Sequence, residues 1–335
     1  MITVKIPTRL SRWVCVLILS SLAVACGGSG GGSTPASTTS TTGATSIIFQ
    51  QPLEAGITSH LFVPNASNAS APTGVFELVY WQMNPGSPNG LLVPTSWDAS
   101  AKTGFSPSTL TGTELGTENV PGATTAQMDE GTVGVYLNSA ALPGSADGQK
   151  MMITPRIAFA AGTAPVPFAS STTVLNGSMD LQIPTASGSD TYCNVVFEFQ
   201  DTAGARISFG VDIFRNGWTD MQMSTGYDAP TNSYQLNSPL GVEQQYVTMA
   251  AGSAGATGSA WVGWRSFQWS ISEAQFAAAL QYLSTTFPTA VQDTDPTQYS
   301  LVEMHLNAEF HFNPEPATLG WSMTNWTVWL SDSGG

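Results

Sequence analysis

The 335-residue chain carries 9 Lys and Arg against 23 Asp and Glu, a formal charge of −14. Such a surface repels polyanions, which excludes a nucleic-acid-binding role. Charged residues make up only 10% of the chain, while Gly, Pro and Trp recur throughout, a composition suited to strands and turns more than to helices.

Lys5, Arg9 and Arg12 precede an apolar run from Trp13 to Ala25, with no acid among them. A basic start followed by a short apolar stretch reads as a secretory leader. The run is short of the roughly 20 apolar residues that a membrane-spanning helix needs. It ends in Ala23-Val24-Ala25-Cys26. That ending resembles the lipobox of bacterial lipoproteins, with Ala23 where the family favours Leu. The resemblance implies cleavage before Cys26, diacylation of its thiol and acylation of the new amino terminus. An ordinary leader cut after Ala25 is the alternative. The residues after Cys26 are nearly all Gly, Ser, Thr, Ala and Pro. They have no apolar surface to bury and form a flexible arm. The chain thus divides into a leader (1–25), a lipidated arm (26–45) and a folded part (46–335). Gly27 rather than Asp follows the cysteine, which by resemblance to lipoprotein sorting implies anchorage in the outer membrane.

Removing the leader takes away three basic residues and leaves six against 23 acidic ones, a formal charge of −17. That balance admits neutral or cationic ligands and divalent cations. Cys15 leaves with the leader and Cys26 takes lipid. Cys193 alone remains in the folded part, so no internal disulfide is expected. It reads as a small buried residue rather than a nucleophile, since no local base accompanies it.

Period-two alternation and turn residues predict strands at 46–50, 75–82, 131–137, 151–159, 178–183, 194–200, 206–214, 245–249, 260–270, 301–312 and 319–330. Two hairpins are expected. In one, Val195, Phe197 and Phe199 turn through Asp201–Ala205 onto Ile207, Phe209, Val211 and Ile213. The other joins 301–312 to 319–330 through a turn containing Pro314 and Pro316, which sets His305 opposite Trp326. One amphipathic helix follows a capping box expected at Ser270 and Glu273, with Phe276, Leu280, Leu283 and Phe287 on its apolar face. Pro288 ends it. These elements predict an all-β fold: an antiparallel jelly-roll-like β-sandwich with one helix. The segment Ser178–Pro184, the strand pair at 194–214 and the closing strands at 301–330 resemble the concanavalin A-like jelly roll. The Glu-x-Asp-x-x-Glu strand of its laminarinase-like members is absent.

Strand 301–312 is unusually rich in chemistry. Val302, Met304, Leu306, Ala308, Phe310 and Phe312 form one face, and Glu303, His305, Asn307, Glu309 and His311 the other. Carboxylates, amides and imidazoles beside an aromatic ring suit sugar binding: the ring stacks on a pyranose and polar groups fix its hydroxyls. The alternative is a merely solvated strand face. The expected ligand contacts are His305, Asn307, His311, Trp326 and Asp212. For glycoside cleavage, Glu309 is the first candidate and Glu198 its partner; for a lyase, the base would be His305 or His311. Trp261, Arg265 and Trp269 share one face of their strand, with Trp264 on the other.

No cofactor is expected. Calcium is possible at Asp293 and Asp295, and His305 with Glu303 or Asn307 is the other conceivable metal pair. Three functions remain open: a membrane-anchored carbohydrate-binding lipoprotein, a glycan hydrolase or lyase on the same face, and a structural or adhesion lipoprotein. The expected partners are the membrane, through the anchor, and carbohydrate; the sequence names no protein partner.

Overall fold

A computed structural model describes residues 45–50, 58–64, 75–83, 91–92, 114–117, 124–128, 132–138, 149–159, 162–188, 191–216, 222–228, 231–241, 244–253, 256–257, 260–313 and 317–332. Side chains are described for 46–50, 132–138 and, within those ranges, from 154 onward except 256–257 and 310–313. The leader and most of the arm lie outside them. Thr41–Gly335 gathers into one unit.

In chain order the strands are β1 (Thr45–Gln50), β2 (Thr58–Pro64), β3 (Val75–Met83), β4 (Leu91–Leu92), β5 (Glu114–Thr117), β6 (Thr124–Met128), β7 (Thr132–Asn138), β8 (Gln149–Ala158), β9 (Thr173–Ala186), β10 (Thr191–Asp201), β11 (Arg206–Asn216), β12 (Ser224–Asp228), β13 (Ser233–Pro239), β14 (Thr248–Met249), β15 (Ala256–Thr257), β16 (Trp261–Ser272), β17 (Tyr299–Asn313) and β18 (Thr318–Asp332), with helix α1 (Glu273–Thr286) between β16 and β17. Among the described residues, eight strands form a first sheet ordered β14-β16-β9-β18-β7-β6-β5, with β1 beside β18. Ten form a second, ordered β12-β13-β11-β10-β17-β8-β3-β2, with β15 on β11 and β4 on β3. The result is the expected jelly-roll-like sandwich. Its pairing is antiparallel except at β2–β3, β11–β13 and β11–β15.

Both apolar faces meet in one core. Val195, Phe197, Phe209, Val211, Met304 and Leu306 enter it from the second sheet, and Leu175, Met179, Leu181, Trp269, Trp321 and Val328 from the first. Burying each such side chain contributes about 1.5–3 kcal/mol. The β10–β11 hairpin has the expected register, with Phe197 opposite Phe209 and Val195 opposite Val211.

The second expected hairpin does not form. β17 pairs with β10 and β8 in the second sheet, whereas β18 pairs with β9, β7 and β1 in the first. The connection crosses the sandwich, because each strand has one apolar face and those faces meet from opposite sides of the core. His305 therefore does not face Trp326.

The helix also starts differently. Its N-cap is Ser272, whose side chain accepts from Gln275 N at 3.2 Å while Gln275 Oε1 accepts from Ser272 N at 2.9 Å. Ser270 still belongs to β16 and pairs with Asn176, so the box lies two residues later than expected and uses Gln275 in place of Glu273. Phe276 anchors the helix among Phe168, Phe199 and Tyr299, with ring centroids at 4.8, 4.4 and 5.7 Å.

Candidate functional site

The second sheet has its apolar face in the core and its polar face turned the other way. Strands β8, β17, β10 and β11 run side by side there, and their register groups the polar residues into two stations. Cross-strand partners on one face lie about 4.5–5.5 Å apart at Cβ.

At the first station Glu198 of β10 stands opposite Glu303 of β17 on one side and Ser208 of β11 on the other. Ser208 Oγ donates to Glu198 Oε1 at 2.6 Å, and Arg206 Nη2 lies 3.8 Å from Glu198 Oε2. Glu303 is flanked by Arg156 Nη1 at 3.7 Å and His305 Nδ1 at 3.2 Å. Burial pushes the Glu198 carboxyl above its ordinary range, against the pull of Arg206 and His305, and the Glu303 charge adds to the rise. Glu303 goes the other way. Burial would raise it, but the His305 hydrogen bond and charge, with Arg156 and Arg206, hold its carboxyl below the usual range. Two facing carboxyls are thus driven apart, one toward the acid and one toward the anion. That division of roles is what general acid chemistry beside a nucleophilic carboxylate requires. The Glu303 side chain is 19% and that of His305 13% exposed, whereas that of Glu198 is buried at 3%.

At the second station Tyr192 of β10 stands opposite Glu309 of β17 and Arg215 of β11. The Tyr192 hydroxyl donates to Glu309 Oε1, and Asn307 Nδ2 donates to the same oxygen at 3.4 Å. Arg215 grips Asp212 Oδ2 through Nε at 3.0 Å and Nη2 at 2.6 Å. It also lies over the Tyr192 ring, 5.6 Å from its centroid. Asn194 Nδ2 donates to Asn237 Oδ1 at 3.2 Å, passing over Gly210, where a Cβ would fall 2.0 Å from that oxygen. Glycine at 210 is what lets an amide on β10 reach one on β13 across the strand between them. Burial raises the Asp212 carboxyl despite the Arg215 charge and hydrogen bonds beside it. Glu309 and Asp212 are both buried.

The register separates the pair that the sequence suggests. Glu309 faces Tyr192 and Glu198 faces Glu303, six residues apart on each strand. At about 3.3 Å per residue that is about 20 Å, so Glu198 and Glu309 cannot flank one glycosidic bond. Glu198 takes Glu303 as its near carboxylate. Glu309 shares its end of the face with Asp212, one strand beyond β10. His305 joins the first station and Asn307 the second. His311 belongs to β17, and its side chain lies outside the described residues.

Trp326 is not at this site. It is wholly buried in the core, edge-on to Phe49 at 5.0 Å. Strict alternation from Trp321 and Met323 would send it to the polar side. The register slips between Thr324 and Thr327, and Asn325 takes a left-handed backbone with φ of 55°. That extra residue shifts the parity and turns Trp326 inward. Trp261 and Trp269 are likewise core residues, whereas Arg265 stays exposed.

Tyr192, Asn194, Arg156, Arg206, Ser208 and Arg215 are site residues that single-strand reading passes over. Ser208 and Arg206 were recoverable by folding the β10–β11 hairpin onto Glu198. Arg156 needed the β17–β8 pairing, which no local pattern gives. In the 293–295 loop, Asp295 accepts from Thr297 N at 3.0 Å and Thr297 Oγ1 at 2.8 Å, and Asp293 accepts from Asp295 N at 2.9 Å. Those bonds, the Thr297 backbone N–H first, hold the Asp295 carboxyl low. Among the described residues, no three His, Cys, Asp or Glu side chains gather where they could hold a metal ion. Cys193 is buried, which pushes its thiol far up and leaves it unreactive.

No protein family profile matches the chain, and no curated protein does. Solved structures with a similar fold include the xyloglucanase domain of NopAA from Sinorhizobium fredii, in complex with cellobiose. It is 11% identical over 70% of this chain and 98% of its own, with a TM-score of 0.32. The family 11 xylanase of Neocallimastix patriciarum is 10% identical over 65% and 87%, with a TM-score of 0.26. The adhesin domain of Epf from Streptococcus pyogenes is 8% identical over 74% and 57%, with a TM-score of 0.29. Likenesses this distant assign no activity.

Proposed function

We propose that this is an exported, lipid-anchored protein whose second sheet binds a glycan on its polar face and cleaves it there. The observation that carries the reading is the Glu198–Glu303 pair. The two residues are direct partners on adjacent strands and their carboxyls have opposite ionisation tendencies, with Glu303 the more accessible of the two. Direct cross-strand neighbours, with Cβ atoms about 4.5–5.5 Å apart, can bring their carboxyls to the roughly 5–5.5 Å of a retaining mechanism, which is the geometry the proposal requires. Glu198 gives its proton to the glycosidic oxygen as that bond breaks. Glu303 attacks the anomeric carbon and forms a glycosyl ester. Water, deprotonated by Glu198, then displaces Glu303 and restores both groups. Arg156 and His305 keep Glu303 anionic for the attack.

A second reading places the reacting pair at Asp212 and Glu309. It is favoured by the Tyr192–Glu309 hydrogen bond and by the Arg215 grip on Asp212, which orient both groups on either side of β10. Asp212 stands level with Asn307, two residues along β17 from Glu309. Two strand spacings and that offset put their backbones about 12 Å apart, and the carboxyls reach the wider inverting range only with both side chains turned toward each other.

Incubating the full mature chain with insoluble and soluble polysaccharides, and scoring both retention and released reducing ends, tests both readings. Glu303→Gln should lower release by about 10²–10⁴-fold with retention kept. If Glu309→Gln does so and Glu303→Gln does not, the second reading replaces the first. Retention with no release by the wild type makes the protein a binding module. Absence of both removes the carbohydrate reading in favour of a structural envelope role.

A further inference from the structure

The register of β16 against β9 slips between Trp261 and Arg265, so that Val262, Gly263 and Trp264 bulge out where β9 supplies one residue. Gly263 makes the turn possible with φ of 92°, a left-handed backbone that a side chain would strain. The bulge presents Val262 at 86% and Trp264 at 47% exposure. It is also rigidly based. Trp261 packs edge-on to Phe214 at 5.5 Å, donates from Nε1 to Leu181 O at 3.3 Å, and carries the Arg265 guanidinium 4.4 Å from its ring centroid.

Arg265 differs from its counterparts. Arg156, Arg206 and Arg215 each pair with a carboxylate, whereas Arg265 has no carboxylate partner among the described residues. Its guanidinium lies over the Trp261 ring. Immediately beyond it, β16 and the turn at 250–253 enclose an open pocket of about 610 Å³ lined by Ser253, Arg265, Ser266 and Gln268 among others. That volume suits one or two sugar rings.

We propose that this bulge and the pocket next to it in the chain form a second glycan-binding site, in which Trp264 stacks on the apolar face of one neutral pyranose and Arg265, in the pocket wall, donates to hydroxyls of another ring of the same glycan. The inference rests on the carbohydrate reading of the protein and adds a contact away from the reacting carboxyls. Trp264 directly precedes Arg265, which lines the pocket, so a glycan of more than one ring would meet both an exposed aromatic and a cationic donor, the pair of contacts that sugars use. The acidic chain, at −14, disfavours an anionic polymer. The site adjoins the Arg215 end of the other sheet, since β15 pairs with Phe214 and Arg215 and leads within four residues into Trp261.

The test uses the full mature chain carrying Cys26→Ser, so that lipid does not mask the result. Wild-type, Trp264→Ala and Trp264→Phe proteins are mixed with insoluble cellulose and insoluble xylan, with vesicles of phosphatidylethanolamine and phosphatidylglycerol, and with soluble cello- and xylotetraose. Trp264→Ala should reduce retention on a polysaccharide by roughly tenfold, the equivalent of one lost stacking contact. Trp264→Phe should keep most of it, and reducing ends released from the tetraoses should not change. Unchanged retention of Trp264→Ala, with the wild type retained, overturns the site and leaves the carbohydrate reading standing. Trp264-dependent binding to vesicles without polysaccharide binding overturns it in favour of a membrane contact. A wild type that neither binds nor cleaves any of these glycans removes the carbohydrate reading and this site with it.

Discussion

Gly177 shows how closely single positions are fixed. It faces Trp269 across β9 and β16, and a Cβ added there would lie 2.4 Å from two ring carbons. The indole is wholly buried and has no space to move into. Gly177→Ala should therefore destabilise the fold by about 1–3 kcal/mol, the usual cost of overpacking, read as a lower urea midpoint at unchanged slope. The two facing carboxyls make a prediction of opposite signs. Glu303 is depressed, so its charge adds stability above the unfolded carboxyl value of about 4.3, and that stability is lost as pH falls through the lower folded value. Glu198 is raised, so its contribution is complete below about 4.3 and is lost as pH rises through the higher folded value. Glu303→Gln should accordingly cost more stability at pH 7 than at pH 3. Glu198→Gln should gain on the wild type as pH rises. Urea unfolding of both variants at pH 3, 5 and 7 checks this, and parallel pH trends would refute the assignment.

Elements were legible wherever one strand carried its own pattern. The β10–β11 hairpin was readable because alternate residues on both strands are apolar and the turn between them is short. β17 was readable as a strand with one chemical face, although Val302 is an extra residue there: Glu198 faces Glu303 while the next residue, Phe199, faces Leu301. Strands β12 and β13 were not found, because Tyr227, Tyr234 and Leu236 are too widely spaced in polar sequence to mark an apolar face. The bulges at Asn325 and Gly263 were hidden for a different reason. A bulge changes which residue faces the core only in the presence of a partner strand, and the partner is remote in sequence. Trp326 was assigned to the ligand face for want of that information. The helix start is a subtler case. Ser270 and Ser272 both satisfy the capping pattern locally, and the pairing of Ser270 with Asn176 and Thr248 decides between them by extending β16. Ser272→Ala should cost about 1 kcal/mol by removing the acceptor for Gln275 N, whereas Ser270→Ala should leave the cap intact. Unfolding midpoints of the two variants, measured side by side, distinguish the two caps.

At the scale of the whole molecule, the crossing between β17 and β18 determines what the polar face can do. Had these strands formed a hairpin, the histidines of β17 would sit beside the tryptophans of β18. Because the chain changes sheets, β17 instead lies between β10 and β8 and brings Glu303 to Glu198 and Glu309 to Tyr192. The proposed anchor acts at the same scale. The first described strand, β1, starts at Thr45, where it pairs with Ser331 of β18. Between Cys26 and that strand stand 18 residues dominated by Gly, Ser and Thr. A Gly/Ser-type linker of that length would have an end-to-end distance of about 20–25 Å, at about 5–6 Å times the square root of its length. In the proposed lipoprotein such a reach would hold the domain close to a bilayer without fixing its orientation. Lipid, not protein surface, would then supply the membrane affinity, since a chain with six basic and 23 acidic residues is repelled by anionic headgroups. Cys26→Ser should move the protein from the detergent-soluble membrane fraction to the aqueous one while the unfolding midpoint of the domain stays put. Mass spectrometry of the wild-type amino-terminal peptide should find acyl chains on Cys26. An aqueous wild type, with an unmodified Cys26 at its amino terminus, would show instead that the leader is an ordinary secretory one and that the arm serves only as a spacer.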